Sequence, residues 1–88
     1  MMIYRPKPDC MACAYGDGLA ILDMKTNTYF SLDPVGATIW NALSNGADID
    51  TLVAAVVTEF DVSPEICTAD VETFVSTLMD ESLLQGAA

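Results

Sequence analysis

The spacing of apolar positions along the chain changes once, at Asp33. Before it lie short runs of strand-forming residues broken by turns. Met11–Tyr15 and Leu19–Asp23 flank Gly16-Asp17-Gly18, a glycine-rich turn that signals a hairpin. The polar stretch Met24-Lys25-Thr26-Asn27 leads to a third run, Thr28–Leu32. Ile21, Thr28, Tyr29 and Phe30 are the β-branched and aromatic types that suit a pleated surface. Within the third run Thr28, Phe30 and Leu32 point to one side, and Tyr29 and Ser31 to the other. Such short connections predict a three-stranded antiparallel meander with Thr28–Leu32 at an edge.

After Asp33 the apolar period is that of a helix. Asp33 is a good N-cap, Pro34 suits the first helical position and Gly46 suits the stop. Between them Val35, Ile39, Trp40 and Leu43 make one apolar stripe. Asp48 or Asp50 caps a second helix carrying Leu52, Val53, Val56, Val57 and Phe60. Ser63-Pro64 opens a third, in which Cys67, Val71, Phe74, Val75 and Leu78 share a face, while Asp70, Glu72, Thr73, Thr77 and Asp80 look elsewhere. Gly86 and two alanines end the sequence.

The order strand-strand-strand-helix-helix-helix predicts an α+β domain: a three-stranded antiparallel sheet followed by three helices that cover its apolar face. In outline this resembles a winged helix-turn-helix. No linker, repeat or low-complexity stretch interrupts the plan. Residues 1–88 therefore read as one domain with its core at about residues 10–85, and 88 residues leave room for a single core.

Charge narrows the function. Three Lys+Arg against thirteen Asp+Glu give a net charge of −10, and histidine is absent. A nucleic-acid binder needs a cationic footprint, so that class is excluded; histidine-based catalysis is excluded with it. All three cations (Arg5, Lys7, Lys25) fall in the first 25 residues, where Asp9, Asp17 and Asp23 balance them. The rest of the chain carries the whole −10, which favours a cationic partner. Yet 52% of residues are hydrophobic, far too many for a disordered acidic chain. The longest apolar run, Leu52 to Val57, is much shorter than the ~20 residues of a spanning helix. No export signal is visible at the N-terminus, and an odd number of cysteines suits a reducing cytoplasm. The expectation is a cytoplasmic protein without membrane contact.

Candidate chemistry is thin. Cys10-Met11-Ala12-Cys13 is a CxxC, but a structural zinc site needs four ligands, and here Cys67 stands alone and no histidine is present. On a strand, positions 10 and 13 also face opposite sides. A redox CxxC belongs at a helix N-terminus in a βαβ pattern, which is missing. Asp48-Ile49-Asp50 lacks the continuation of a calcium loop. No glycine-rich phosphate motif occurs, and the serines have no base to activate them. The reading is a protein without catalytic residues, metal or other cofactor. A cysteine-based metal or redox module is the remote alternative.

Binding remains. An edge strand without proline or charge, as in Thr28-Tyr29-Phe30-Ser31-Leu32, can accept an extended peptide as an added strand.

The segment from Leu22 to Trp40, with Leu22-Asp23, a short turn, Tyr29-Phe30-Ser31-Leu32-Asp33, then Gly36-Ala37 and Ile39-Trp40, resembles the PqqD-like family. The likeness continues through Asn45-Gly46, Glu59-Phe60-Asp61-Val62 and Asp70-Val71-Glu72-Thr73-Phe74-Val75, and covers about residues 15–85. Family members are non-catalytic recognition elements for ribosomally made, modified peptides. The resemblance implies a domain that binds the leader of a precursor peptide as a strand beside the third strand, packed against the third helix. It places backbone pairing at Thr28, Tyr29, Phe30, Ser31 and Leu32, and a facing helical wall at Asp70, Val71, Phe74, Val75 and Leu78.

Two branches of that resemblance compete. PqqD itself assists a radical-SAM enzyme, and its second strand carries a Leu-Ala-Pro-Glu-type run where this chain has Leu19-Ala20-Ile21-Leu22-Asp23. The present pattern is more similar to the stand-alone leader-binding proteins of lasso-peptide clusters, whose partners are a leader peptidase and then a cyclase. Asp33-Pro34 replaces the usual Asn and non-proline, a mild change because Asp also caps and Pro suits the next position. The acidic helices would steer lysines of the leader.

Overall fold

The computed structural model describes residues 2–87. Its elements are β1 (Ile3–Pro6), β2 (Cys10–Tyr15), β3 (Gly18–Asp23), β4 (Thr28–Leu32), α1 (Pro34–Leu43), α2 (Ile49–Phe60), α3 (Pro64–Asp80) and β5 (Leu84–Ala87). The α+β expectation holds: β2-β3-β4 form an antiparallel sheet in that order, with β4 at an edge, and three helices follow.

Local chemistry sets the turns. Tyr15 pairs with Gly18, so the β2–β3 turn is the two residues Gly16-Asp17, and Gly16 takes φ +62°. Glycine reaches that left-handed conformation without a Cβ clash. Gly18 is needed for another reason. A Cβ there would overlap the Leu32 carbonyl at the end of the paired strand β4. After β3, the Lys25 N–H donates to the Asp23 carboxylate at 3.0 Å, and Asn27 adopts φ +60° before β4 begins.

Cross-strand partners share a face of the sheet. Leu19 and Leu32, and Ile21 and Phe30, are such pairs, and they turn toward the helices. Tyr29 lies opposite Leu22 on the outer face and is 68% exposed.

Each helix starts at the expected cap. The Asp33 carboxylate accepts the Gly36 N–H at 2.8 Å with Pro34 at the first position of α1. Helix α1 ends at Leu43, and Gly46 (φ +85°) sends its N–H back to the Leu43 carbonyl at 2.9 Å. Of the two caps open for α2, Asp48 is the one used: its carboxylate accepts the Thr51 N–H at 2.8 Å. Ser63 precedes α3 with no capping bond from its side chain, and Pro64 opens the helix.

The core joins Ile21 of the sheet to Ile39, Trp40 and Leu43 of α1, Leu52 and Val56 of α2, and Val71, Val75 and Leu78 of α3. Leu83 and Leu84 close it from the C-terminal side, 0% and 1% exposed. Burying each such leucine contributes about 1.5–3 kcal/mol.

The terminal segments add an element to the expected three-stranded sheet and three helices. β1 and β5 form a second antiparallel sheet, from Ile3 opposite Ala87 to Pro6 opposite Leu84. Tyr4 also exchanges both backbone bonds with Ala47, at 2.8 and 2.9 Å, so β1 is clasped on both sides. Both strands are four residues long, and neither Ile-Tyr-Arg-Pro nor Leu-Gln-Gly-Ala alternates clearly. Their pairing comes from the tertiary burial of Leu83 and Leu84. Among the described residues, no helix is long and apolar enough to cross a membrane.

Candidate binding site

β4 is bonded to β3 on one side only. The Leu32 carbonyl points at β3, since it is the atom a Gly18 side chain would strike. In a strand, successive residues present their N–H and C=O to opposite sides. Thr28, Phe30 and Leu32 therefore bond inward, while Tyr29 and Ser31 turn their backbone groups to the open edge. Phe30 and Leu32 also pack their side chains on the core. The five residues contain neither proline nor charge, so nothing in β4 itself blocks a further strand.

Just past the end of β4, from Asp33 onward, lies an apolar groove of about 280 Å³ between the start of α1, the middle of α2 and the first half of α3. Ile39, Val56 and Val71 form its floor, and the exposed side chains Val35, Val62 and Ile66 stand at its mouth. Ile66 is 68% exposed, a large apolar side chain left in water. Leu32, Gly36 and Phe74 meet at the β4 end: a Cβ on Gly36 would lie 3.2 Å from Leu32 Cβ and 3.3 Å from Phe74 Cζ. The bare glycine lets the Phe74 ring close down on α1 and ties the edge strand to α3.

Two carboxylates border this groove, Asp33 and Asp70. Cys67, on its wall, is buried (4% exposed). That burial pushes its thiol above the ordinary value, and the Asp70 charge adds to the rise.

The expected helical wall divides in two. Asp70, Val71 and Phe74 line the groove. Val75 and Leu78 lie in the core, each 3% exposed, and support α3 from behind. Sequence reasoning missed Gly36, Val62 and Ile66. Val62 and Ile66 had a signal, since both are apolar yet stand outside the core stripes.

The three cysteines are unpaired. Cys10 sits opposite Asp23 and Cys13 opposite Ala20, on different faces of the sheet, as the two-residue period requires. Burial raises the Cys10 thiol, and the nearby Asp23 and Asp9 charges raise it further against the opposing pull of Lys7. A raised thiol holds less of the reactive thiolate. Among the described residues, no three His, Cys, Asp or Glu side chains gather as a metal site would need.

Comparison with known proteins places the fold. The chain is similar to TbiB1, solved in complex with the TbiA(beta) leader peptide: 30% identity, TM-score 0.85, covering 96% of this chain and 98% of that one. It shares its fold with a lasso peptide synthetase B1 complexed with the leader peptide: 20% identity, TM-score 0.81, covering 93% of this chain and 96% of that one. No curated protein sequence matches. A family model described as coenzyme PQQ synthesis protein D (PqqD) matches residues 18–84, which takes in β3, β4, all three helices and the start of β5. The chain belongs to the PqqD family.

Proposed function

We propose that this protein is a non-catalytic recognition protein that binds the leader segment of a ribosomally made precursor peptide and presents it to a leader peptidase in lasso-peptide biosynthesis, ahead of a cyclase. The observation that carries the reading is an open β4 edge whose last residue, Leu32, packs beside Gly36 and Phe74 of the neighbouring apolar groove. The leader adds as a strand along Thr28–Leu32, with Tyr29 and Ser31 supplying the backbone bonds. One of its bulky side chains enters the groove against Asp70, Val71 and Phe74. Backbone pairing supplies sequence-tolerant affinity and the groove supplies selection. Residues 1–88 act as one unit without a cofactor, and three free thiols suit a reducing cytoplasm. Similarity to TbiB1, itself bound to a leader peptide, supports the reading along nearly the whole chain.

The deciding experiment is a titration of the purified protein with the labelled leader of a precursor encoded beside its gene. Binding tighter than ~100 μM is expected, and weaker binding overturns the proposal.

A second reading follows from the family match to coenzyme PQQ synthesis protein D: a peptide chaperone for a radical-SAM enzyme. The groove serves either role. The enzyme that co-purifies with the leader-loaded protein separates them, a peptidase for the first and a radical-SAM protein for the second.

A further inference from the structure

The groove is apolar on its floor and anionic on its rim. Asp33 sits at the β4 end, where its Oδ1 is held by the Gly36 N–H at 2.8 Å. Asp70 stands one helical turn before Phe74 on the same face of α3. The three cations lie elsewhere. Arg5 lies against Gly46, where its guanidinium would be 2.9 Å from an added Cβ. Lys7 and Lys25 share a separate polar cavity with Asp9 and Asp23. The groove thus has two carboxylates and no lysine or arginine on its lining.

Resting on the leader-binding reading, we infer that the groove selects a peptide in which a bulky apolar residue is followed or preceded, two positions away, by Lys or Arg. An added strand turns alternate side chains to the same face. A residue seated between Ile39, Val56 and Phe74 therefore has its i±2 neighbours on the groove side, where Asp70 meets them. Asp70 does most of the selecting, because the N-terminal dipole of α1 offsets part of the Asp33 charge. The influence of Asp70 on the Cys67 thiol agrees with this, since its field reaches the groove wall. An acidic residue at i±2 would face two carboxylates and be rejected.

The test is a display selection of random short peptides on the wild-type protein, with Phe74→Asp as the counter-selection. It is followed by titration of the enriched peptides against wild type, Asp70→Asn and the double variant Asp33→Asn, Asp70→Asn. Asn caps a helix as well as Asp does, so the double variant keeps α1 intact, and circular dichroism checks that it does. The expected result is enrichment of an apolar residue with Lys or Arg at i±2. In the double variant these peptides should bind about three- to tenfold more weakly at low salt, with the difference shrinking at high salt. Enrichment of apolar peptides with neutral or acidic neighbours, or equal binding by the double variant, overturns the charge selection and leaves leader binding standing. If no peptide is enriched over the Phe74→Asp counter-selection, both fall.

Discussion

The ring of Phe74 rests over Gly36: a side chain on that glycine would begin 3.3 Å from Phe74 Cζ. This contact joins the end of the open strand to the third helix, so a small change there reaches the whole groove. Gly36→Ala gains about 1 kcal/mol of helix propensity but crowds Leu32, Asp33 and Phe74, and overpacking typically costs 1–3 kcal/mol. The expected net is a loss of up to about 2 kcal/mol in urea unfolding, with peptide affinity falling more than stability because the ring is pushed outward. An Ala variant that binds peptide as tightly as wild type would show that the Phe74–Gly36 closure does not shape the groove.

The two sides of β4 make different predictions for proline. Ser31 turns its N–H to the open edge, so Ser31→Pro removes a donor that no internal strand uses, a placement edge strands tolerate. It should abolish leader binding while circular dichroism and the melting temperature stay near those of wild type. Phe30→Pro removes a bond to β3 and a core side chain together. It should lower the melting temperature sharply or prevent folding. Equal damage from both substitutions would mean that the assigned direction of the β4 backbone is wrong.

Groove and core on α3 separate in the same way. Leu78→Ala should cost about 2–5 kcal/mol in chemical denaturation, as other buried leucines do, with little effect on affinity once the protein is folded. Phe74 is only half-buried, and Phe74→Asp should keep the fold and remove binding. A Phe74→Asp protein that still binds the leader would remove Phe74 from the peptide wall.

The meander, the helix boundaries and the core stripes were legible because local signals agreed: glycines at the β2–β3 turn, and Asp33-Pro34 and Ser63-Pro64 at helix starts. The clasp of β1 and β5 was not legible. Leu-Gln-Gly-Ala has no strand period, its partner β1 lies at the other end of the sequence, and the two meet where Leu83 and Leu84 are buried. On α3 a single 3.6-residue stripe mixed two roles. Phe74 and Val75 are neighbours in sequence with similar chemistry. Only the packing of α1 shows that Gly36 leaves Phe74 at the groove while Val75 is sealed.

The thiols should react in an order set by burial. Cys13 is exposed and should be alkylated first, and half-buried Cys10 with its raised thiol more slowly. Cys67, buried and raised by burial and by Asp70, should react only as the domain opens. Mass spectrometry of a timed iodoacetamide reaction reads the order. Rapid labelling of Cys67 in native protein would mean that the α3 side of the groove opens far more readily than its packing implies.

Asp48 gives the fold a directional response to acid. Hydrogen bonds from Thr51, side chain first and backbone second, hold its carboxyl below the ordinary value. An acid whose folded value is depressed stabilises the native state above its unfolded value, and that contribution fades as pH falls through the folded one. Asp48→Asn keeps a capping oxygen but has no proton to gain. The difference in melting temperature between wild type and Asp48→Asn should therefore be constant near neutrality and shift against wild type below about pH 4, the ordinary carboxylate range. Thermal melts of both proteins from neutral to acid pH measure it. A difference that stays flat through that range would mean that the Thr51 bonds do not favour the ionised carboxylate.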